Sequence, residues 1–133
     1  MAIHLTDAQR KFFHEVMPVT VGTRRKDGTV QLNPVWYDFH DGYFHLNSAR
    51  GRNWAEHVQQ QKDVTLLFVD PRNMYRWAQV QGRLVNVTTE GADAHIDRLS
   101  ARYTGNPVYQ NRVPGEVRIS MTIEPLRITG SVR

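Results

Sequence analysis

Residues Gln31–Trp54, QLNPVWYDFHDGYFHLNSARGRNW, carry the strongest structural signals in this chain. Asp41-Gly42 near the centre suits the positive φ angles of a tight turn, so the stretch predicts two antiparallel strands joined at that dipeptide. The first strand contains Asn33-Pro34-Val35-Trp36, where the proline interrupts strand pairing and leaves backbone groups free. The stretch therefore predicts a hairpin with one partly unpaired strand.

The second strand, 43–47, is expected to open into a short helix within Ser48-Ala49-Arg50-Gly51-Arg52-Asn53. Ser48 would supply the capping hydroxyl, and the N-terminus of a helix attracts anions. Arg50 and Arg52 add guanidinium groups that bind two phosphate oxygens at once. An anion site beside a partly unpaired strand predicts a flat, phosphorylated ligand.

Length and composition predict a single domain spanning residues 1–133. This length supports one hydrophobic core, and 40% hydrophobic with 23% charged residues is typical of a globular protein. The absence of cysteine excludes disulfides, thiolate catalysis and zinc–thiolate sites. The sequence contains no apolar run of membrane-spanning length and no signal-peptide pattern at its N-terminus, so we expect a cytoplasmic protein.

The charge balance suggests a polyanionic partner. The net charge is +4 and the pI is about 9.8, with arginine supplying most of the positive charge. A phosphorylated cofactor or a nucleic acid would suit this excess, although a basic surface without a partner explains it equally well.

The N-terminal half predicts further elements on either side of the hairpin. Thr6-Asp7-Ala8-Gln9 matches a capping box, so a helix is expected at 7–14. Lys26-Asp27-Gly28 indicates another hairpin turn, which would make the first three strands a meander. The apolar run 64–69 is typical of a strand buried on both faces.

The C-terminal half predicts a long strand, a helix and a final pair of strands. In the strand 75–87 the apolar parity changes at Gly82, which indicates a bulge or bend. A helix is expected from Thr88, and the strand 117–123 is expected to end at Pro125 before a short strand at 128–132. Six or seven antiparallel strands and three short helices indicate an α+β protein whose sheet closes into a barrel.

The sequence predicts neither catalytic residues nor metal ligands. It contains no dinucleotide-binding, P-loop or nucleophile-elbow motif, and its carboxylates are scattered. His40, His45, His57 and His95 lack the spacing of metal ligands, so we expect them to be surface or supporting residues.

Three segments resemble the pyridoxamine-phosphate-oxidase-like split β-barrel family, and within it the branch that uses the deazaflavin coenzyme F420. They read TVQLNPVWYDFHDGYFHLNSARGRNW, DVTLLFVDPRNMYRWAQVQGRLVNV and HIDRLSARYTGNPVY. The resemblance covers roughly residues 8–130. It implies a six- to seven-stranded antiparallel split barrel with about three short helices, and a homodimer with two cofactor sites across the subunit interface.

The resemblance also implies cofactor-binding residues. The ring of the cofactor would lie against Gln31, Asn33, Pro34 and Val35, and the phosphate against Asn47, Ser48, Arg50, Arg52 and Asn53. Tyr75 or Trp77 of the partner subunit would close the pocket. Trp36, Tyr75 and Trp77 are aromatic side chains that suit either core or dimer packing, or a wall for a planar ring.

The implied function is an oxidoreductase that transfers hydride from reduced F420 to an unsaturated or heteroaromatic small molecule. Arg50 departs from the family pattern, since many relatives have lysine there, but the positive charge is kept. The arginine–lysine pattern of members that bind flavin mononucleotide (FMN) is missing, and this absence favours the deazaflavin. The alternatives are an FMN-dependent oxidase or reductase, and a non-catalytic carrier of the coenzyme or of haem. A basic barrel that binds single-stranded nucleic acid is a further alternative, but nucleic acid is not the partner we expect.

Overall fold

A computed structural model describes residues 3–133, which form three helices and seven strands. In chain order these are α1 (Asp7–His14), β1 (Val19–Arg24), β2 (Val30–Val35), β3 (Tyr37–His40), β4 (Tyr43–Ala49), α2 (Asn53–Gln61), β5 (Asp63–Asp70), β6 (Asn73–Thr88), α3 (Ala92–Thr104) and β7 (Arg118–Gly130). Within these residues, no helix is both long enough and apolar enough to span a membrane.

One antiparallel sheet contains all seven strands, in the order β2-β1-β5-β6-β7-β4-β3. β2 and β3 form its two opposite edges, although Trp36 alone separates them in the chain. Val35 and Tyr37 can therefore be at most about 7 Å apart, so the sheet curls until its edges meet. The predicted α+β split barrel is confirmed.

The expected meander is wrong at this same point. β2 pairs with β1, whereas β3 pairs with β4 and lies at the far edge of the sheet. The sequence shows one continuous strand here because a single residue is enough to redirect the chain between two edges. Pro34, which cannot donate a backbone hydrogen bond, is tolerated because β2 is an edge strand.

The local signals at the first helix and at two turns are confirmed. Thr6 and Gln9 form the reciprocal capping box at the start of α1. Asp41 and Gly42 have φ angles of 56° and 80°, as a tight hairpin turn requires. Asp27 accepts a hydrogen bond from the Thr29 N–H inside the first hairpin loop.

The helix after the central hairpin begins later than expected. Ser48 lies in β4, opposite Ile119 of β7, so it is a strand residue and not a helix cap. α2 begins at Asn53, with Arg52 at the N-cap position. The reason is non-local, because pairing with β7 keeps the chain extended through Ala49.

The central strands also differ from the expectation. β5 alternates, with Val64, Leu66 and Phe68 buried and the residues between them only partly covered, so it is not buried on both faces. In β6 the buried parity continues from Val80 to Leu84, so the expected phase change at Gly82 is wrong.

The expected bulge near Gly82 is nevertheless present, because the pairing of β6 with β7 shifts register between Gln81 and Gly82 and again between Leu84 and Asn86. Gln81 lies opposite Arg127 and Gly82 opposite Pro125, which leaves Leu126 as an extra residue in β7. Such a bulge accommodates proline, so β7 continues through Pro125 as one strand instead of ending there. α3 begins at Ala92, after Gly91, and not at Thr88.

The core lies between the concave side of the sheet and α1. The Phe13 ring of α1 packs against Phe44 and Phe68, at centroid distances of 4.8 and 5.0 Å. The hydroxyl of buried Tyr37 donates to the Phe13 carbonyl at 2.8 Å, and burial raises the pKa of this tyrosine well above its ordinary value. These contacts fix α1 against the strands that follow Trp36.

Gly82 is required by packing, which predicts a specific loss of stability on substitution. A Cβ at this position would lie 2.5 Å from Ile123 Cγ2 and 3.3 Å from the Glu124 carbonyl oxygen. We expect Gly82→Ala to lower the free energy of unfolding by about 1–3 kcal/mol, measured by denaturant titration. Gly22→Ala is the matched control, because a Cβ there would meet its nearest neighbour, the Leu32 side chain, at 3.4 Å. Equal stabilities of the two variants would contradict this packing argument.

Candidate functional site

A cavity of about 720 Å³ opens where the two edges of the sheet meet. Its volume lies within the range of small-molecule sites. Nine of the twelve residues that the sequence predicts for cofactor binding line it: Gln31, Asn33, Pro34, Val35, Trp36, Asn47, Ser48, Arg52 and Asn53.

The other three predicted residues lie outside the lining of this cavity. Arg50 is exposed in the turn after β4, where its backbone N–H donates to the Val117 carbonyl at 2.9 Å. Tyr75 is 79% exposed near the start of β6, and Trp77 is half-buried two residues later. A role for the latter two would require a second subunit.

One end of the cavity has the chemistry of an anion site. The first N–H groups of a helix lack intrahelical acceptors, and no side chain among residues 3–133 caps α2. Ser48 is 2% exposed, and its Oγ has no hydrogen-bond partner within the described part of the chain. Because buried hydroxyls are normally paired, this hydroxyl is available to donate to a ligand in the cavity. Arg52, half-exposed at the N-cap, adds a positive charge.

The opposite wall, built by β2, suits a flat polar ring. Gln31, Asn33 and Val35 share the inward face of the strand, and the Gln31 amide donates to Asn33 Oδ1 at 2.9 Å. Trp36 stacks on Tyr103 with a centroid distance of 5.3 Å and an interplanar angle of 7°. The Trp36 indole is therefore held in place before any ligand binds.

Sequence reasoning missed a buried arginine in the wall of the cavity. The Arg118 side chain is 4% exposed, and its Nε and Nη2 donate to Asn47 Oδ1 at 2.9 and 2.8 Å. Its guanidinium carbon lies 5.3 Å from the centre of the Tyr109 ring. The alternation along 117–123 predicts a solvated face for this arginine. The pattern of a single strand does not reveal that the sheet curls and buries that face. Tyr109, Asn111 and Gly51 also line the cavity and were not predicted.

Glu116 lies between the two arginines of the cavity. Its carboxylate is 3.4 Å from Arg118 Nη1 and 3.8 Å from Arg52 Nη2, and its side chain is 11% exposed. Glu56, in the first turn of α2, adds a second carboxylate that accepts from the Gly51 N–H at 3.2 Å. Arg52 and Arg118 are therefore the groups at this end that would attract an anionic ligand.

The four histidines at positions 40, 45, 57 and 95 occupy three different environments. The rings of His40 and His45 stack at 3.8 Å beside the β3–β4 turn, and His57 shares a 3.0 Å hydrogen bond with Thr23 Oγ1. His95 is 3% exposed and lies behind the cavity wall, next to Asn47. Among residues 3–133, no group of three or more potential ligand side chains could hold a metal ion.

Comparisons with known proteins identify the architecture. Residues 5–130 match the family described as Pyridoxamine 5'-phosphate oxidase. No curated protein matches the sequence.

Solved structures with a similar fold have low sequence identity to this chain. An F420 reductase superposes with a TM-score of 0.83 at 19% identity, covering 94% of this chain and 98% of that chain. A conserved hypothetical protein from Mycobacterium tuberculosis superposes with a TM-score of 0.70 at 18% identity, covering 95% of this chain and 84% of that chain. HupZ from Group A Streptococcus superposes with a TM-score of 0.66 at 17% identity, covering 98% of this chain and 99% of that chain. At these identities the likeness shows a shared fold.

Proposed function

This chain belongs to the pyridoxamine 5'-phosphate oxidase family, and on that premise we propose that it is an oxidoreductase that uses coenzyme F420. It would transfer hydride from the reduced deazaflavin to an unsaturated or heteroaromatic small molecule. The observation that carries the proposal is the cavity itself, which combines an anion site at the start of α2 with a flat polar wall on β2.

The anion site would hold the phosphate of the coenzyme. Ser48 Oγ would donate to a phosphate oxygen and so gain the partner that it lacks among the described residues. The first N–H groups of α2 would donate as well, and Arg52 would supply charge-assisted hydrogen bonds. Asn47 and Asn53 line the same end of the cavity.

The edge strand would hold the ring system. β2 pairs with β1 on one side only, so backbone groups along its other edge are available within the described part of the chain. Those groups, with the side chains of Gln31 and Asn33, would orient the polar edge of a deazaflavin. Val35 and the fixed Trp36 would exclude water from its face.

Hydride transfer is the chemistry that the bound coenzyme would supply, so the protein needs no acid–base pair of its own. Its residues would bind the tail, orient the ring and keep the acceptor close to it. An FMN-dependent oxidase or reductase is the second candidate, favoured by the family that the chain matches. The similarity to an F420 reductase and the excess of arginine favour the deazaflavin.

Cofactor titration tests the function directly. We expect the purified protein to bind F420 with micromolar or better affinity, to bind FMN more weakly, and to oxidise reduced F420 when an enone or nitroheteroaromatic acceptor is added. Absorbance and fluorescence of the coenzyme measure both steps. Binding of FMN alone would favour the second candidate, and tight F420 binding without turnover of any acceptor would indicate a carrier.

A pair of neighbouring arginines tests the phosphate site. Arg52 lines the cavity and Arg50 lies outside it, although the sequence assigns phosphate binding to both. We expect Arg52→Ala to weaken F420 binding by about tenfold to a hundredfold, because a hydrogen bond to a charged group contributes roughly 1.5–3 kcal/mol.

The matched variant is Arg50→Ala, which removes an exposed arginine two residues away. A small effect of this variant would place the phosphate contact on Arg52 alone, and an equal effect would place it on both. A deazaflavin analogue without the phosphate tail should bind equally to all three proteins. Wild-type affinity of both variants for full F420 would disprove the assignment of the phosphate site.

We also propose a homodimer formed through the convex face of β2, β1, β5 and β6. This face exposes apolar side chains, with Leu32 66% and Tyr75 79% exposed. Leu32 lies in a shallow groove beside Leu67 and Gly22. Such a surface favours association with a second copy. In the dimer, Tyr75 or Trp77 of the partner subunit would close the cofactor cavity.

Sedimentation velocity at micromolar concentration should show a dimer. Leu32→Glu should shift the protein toward the monomer and weaken coenzyme binding together, because the partner would close the cavity. Val113→Glu is the control, since Val113 is 55% exposed but lies in the loop after α3. A wild-type monomer that binds F420 tightly would contradict this arrangement.

A further inference from the structure

A chain of buried polar side chains runs from the cavity to the β3–β4 hairpin. Arg118 donates twice to Asn47 Oδ1, and Asn47 Nδ2 donates to the Ala92 carbonyl at 2.9 Å. The same Nδ2 lies 3.2 Å from His95 Nδ1, and His95 Nε2 lies 3.0 Å from Asp38 Oδ1. Arg118 and Asn47 line the cavity, whereas His95 and Asp38 lie behind it.

With a neutral His95 ring, hydrogen-bond chemistry allows one consistent arrangement of these side chains. A guanidinium group only donates, so Arg118 requires the Asn47 oxygen and turns the amide nitrogen toward His95. That nitrogen also only donates, so His95 Nδ1 must accept and the ring proton lies on Nε2. The Asp38 carboxylate accepts a hydrogen bond from that N–H, and Ser120 Oγ, 2.7 Å from Nδ1, shares the single lone pair of this nitrogen with Asn47.

Arg118 and Asp38, at the two ends of this hydrogen-bonded series, depend on each other because Asn47 and His95 between them are buried. A reversed Asn47 amide would point N–H groups at the Arg118 guanidinium and leave it without its main acceptor in a site where 4% of its side chain is exposed. Leaving buried donors unpaired is costly. Burial alone would raise the pKa of Asp38, but the hydrogen bond from His95 holds it below its usual value, so the carboxylate stays an acceptor.

We propose that Asp38 and His95 are positioning residues that hold Arg118 at the cavity wall through Asn47, and thereby set the affinity for the anionic part of the coenzyme. This inference rests on the proposed function for its ligand, and on the hydrogen-bond geometry for its mechanism. Neither residue would touch the coenzyme.

The test compares two variants that interrupt this series of hydrogen bonds at different points. His95→Phe removes the acceptor for Asn47, and Asp38→Asn keeps the shape of the side chain while permitting the other ring tautomer. We expect each to weaken F420 binding by about tenfold, as loss of an orienting outer partner typically does. In an Arg118→Met background, each change should have little further effect, because coupled residues are not additive.

A control histidine separates positioning from general stability. His57→Phe removes a half-buried histidine from α2 that also makes one side-chain hydrogen bond, and its position is outside the cavity lining. We expect it to lower the melting temperature and to leave F420 affinity unchanged. If His95→Phe fails to fold, Asp38→Asn alone carries the test.

Nitrogen NMR provides a readout that needs no coenzyme. In the wild type, the His95 ring should show the Nε2–H tautomer, and the Arg118 Nε–H should exchange slowly with solvent. In both variants that exchange should be fast. Unchanged exchange, or additive effects in the Arg118→Met background, would overturn the positioning role. If the wild type bound neither F420 nor FMN, the proposed function would fail, and the exchange measurement would still decide the inference.

Discussion

The short connection between β2 and β3 is the constraint on which the site depends. Trp36 alone joins the two edges of a seven-stranded sheet, so an open, flat sheet is impossible for this chain. The sheet must curl, and the seam where its edges meet becomes the mouth of the cavity. The stacking of Trp36 on Tyr103 then fixes the seam to α3. Fold and binding site therefore share one cause.

The seam brings together groups that serve different parts of a ligand. β2 offers an edge with available backbone groups and the inward face of Gln31 and Asn33, which suits a polar ring. The end of β4 and the start of α2 offer Ser48 and helix N–H groups, which suit an anion. Because these elements are separated in the chain by a hairpin, the distance between the two subsites is set by the β3–β4 pairing.

Features determined by a few neighbouring residues could be predicted from the sequence. The capping box at Thr6 and the turn at Asp41-Gly42 depend on local backbone chemistry, and both occur as expected. Errors arose where strand pairing overrides a local preference. Ser48 has the properties of a helix cap, but pairing of β4 with β7 keeps it in a strand. That the extra residue of the bulge is Leu126, opposite Gln81 and Gly82, could not be predicted for a similar reason, because a bulge depends on the pairing of two strands.

Arg118 shows the same limit at the candidate site. On its own strand it alternates with Ile119 and has the pattern of a solvated residue, yet the curl of the sheet buries it beside Asn47. Burying a guanidinium is costly unless its donors are paired, and here Asn47, Glu116 and the face of Tyr109 surround it. Because arginine stays charged throughout the physiological pH range, the cavity keeps this positive charge without any titrating group. A site of this kind provides a permanent charge and a fixed shape, which are what a ligand that carries its own chemistry needs from a protein.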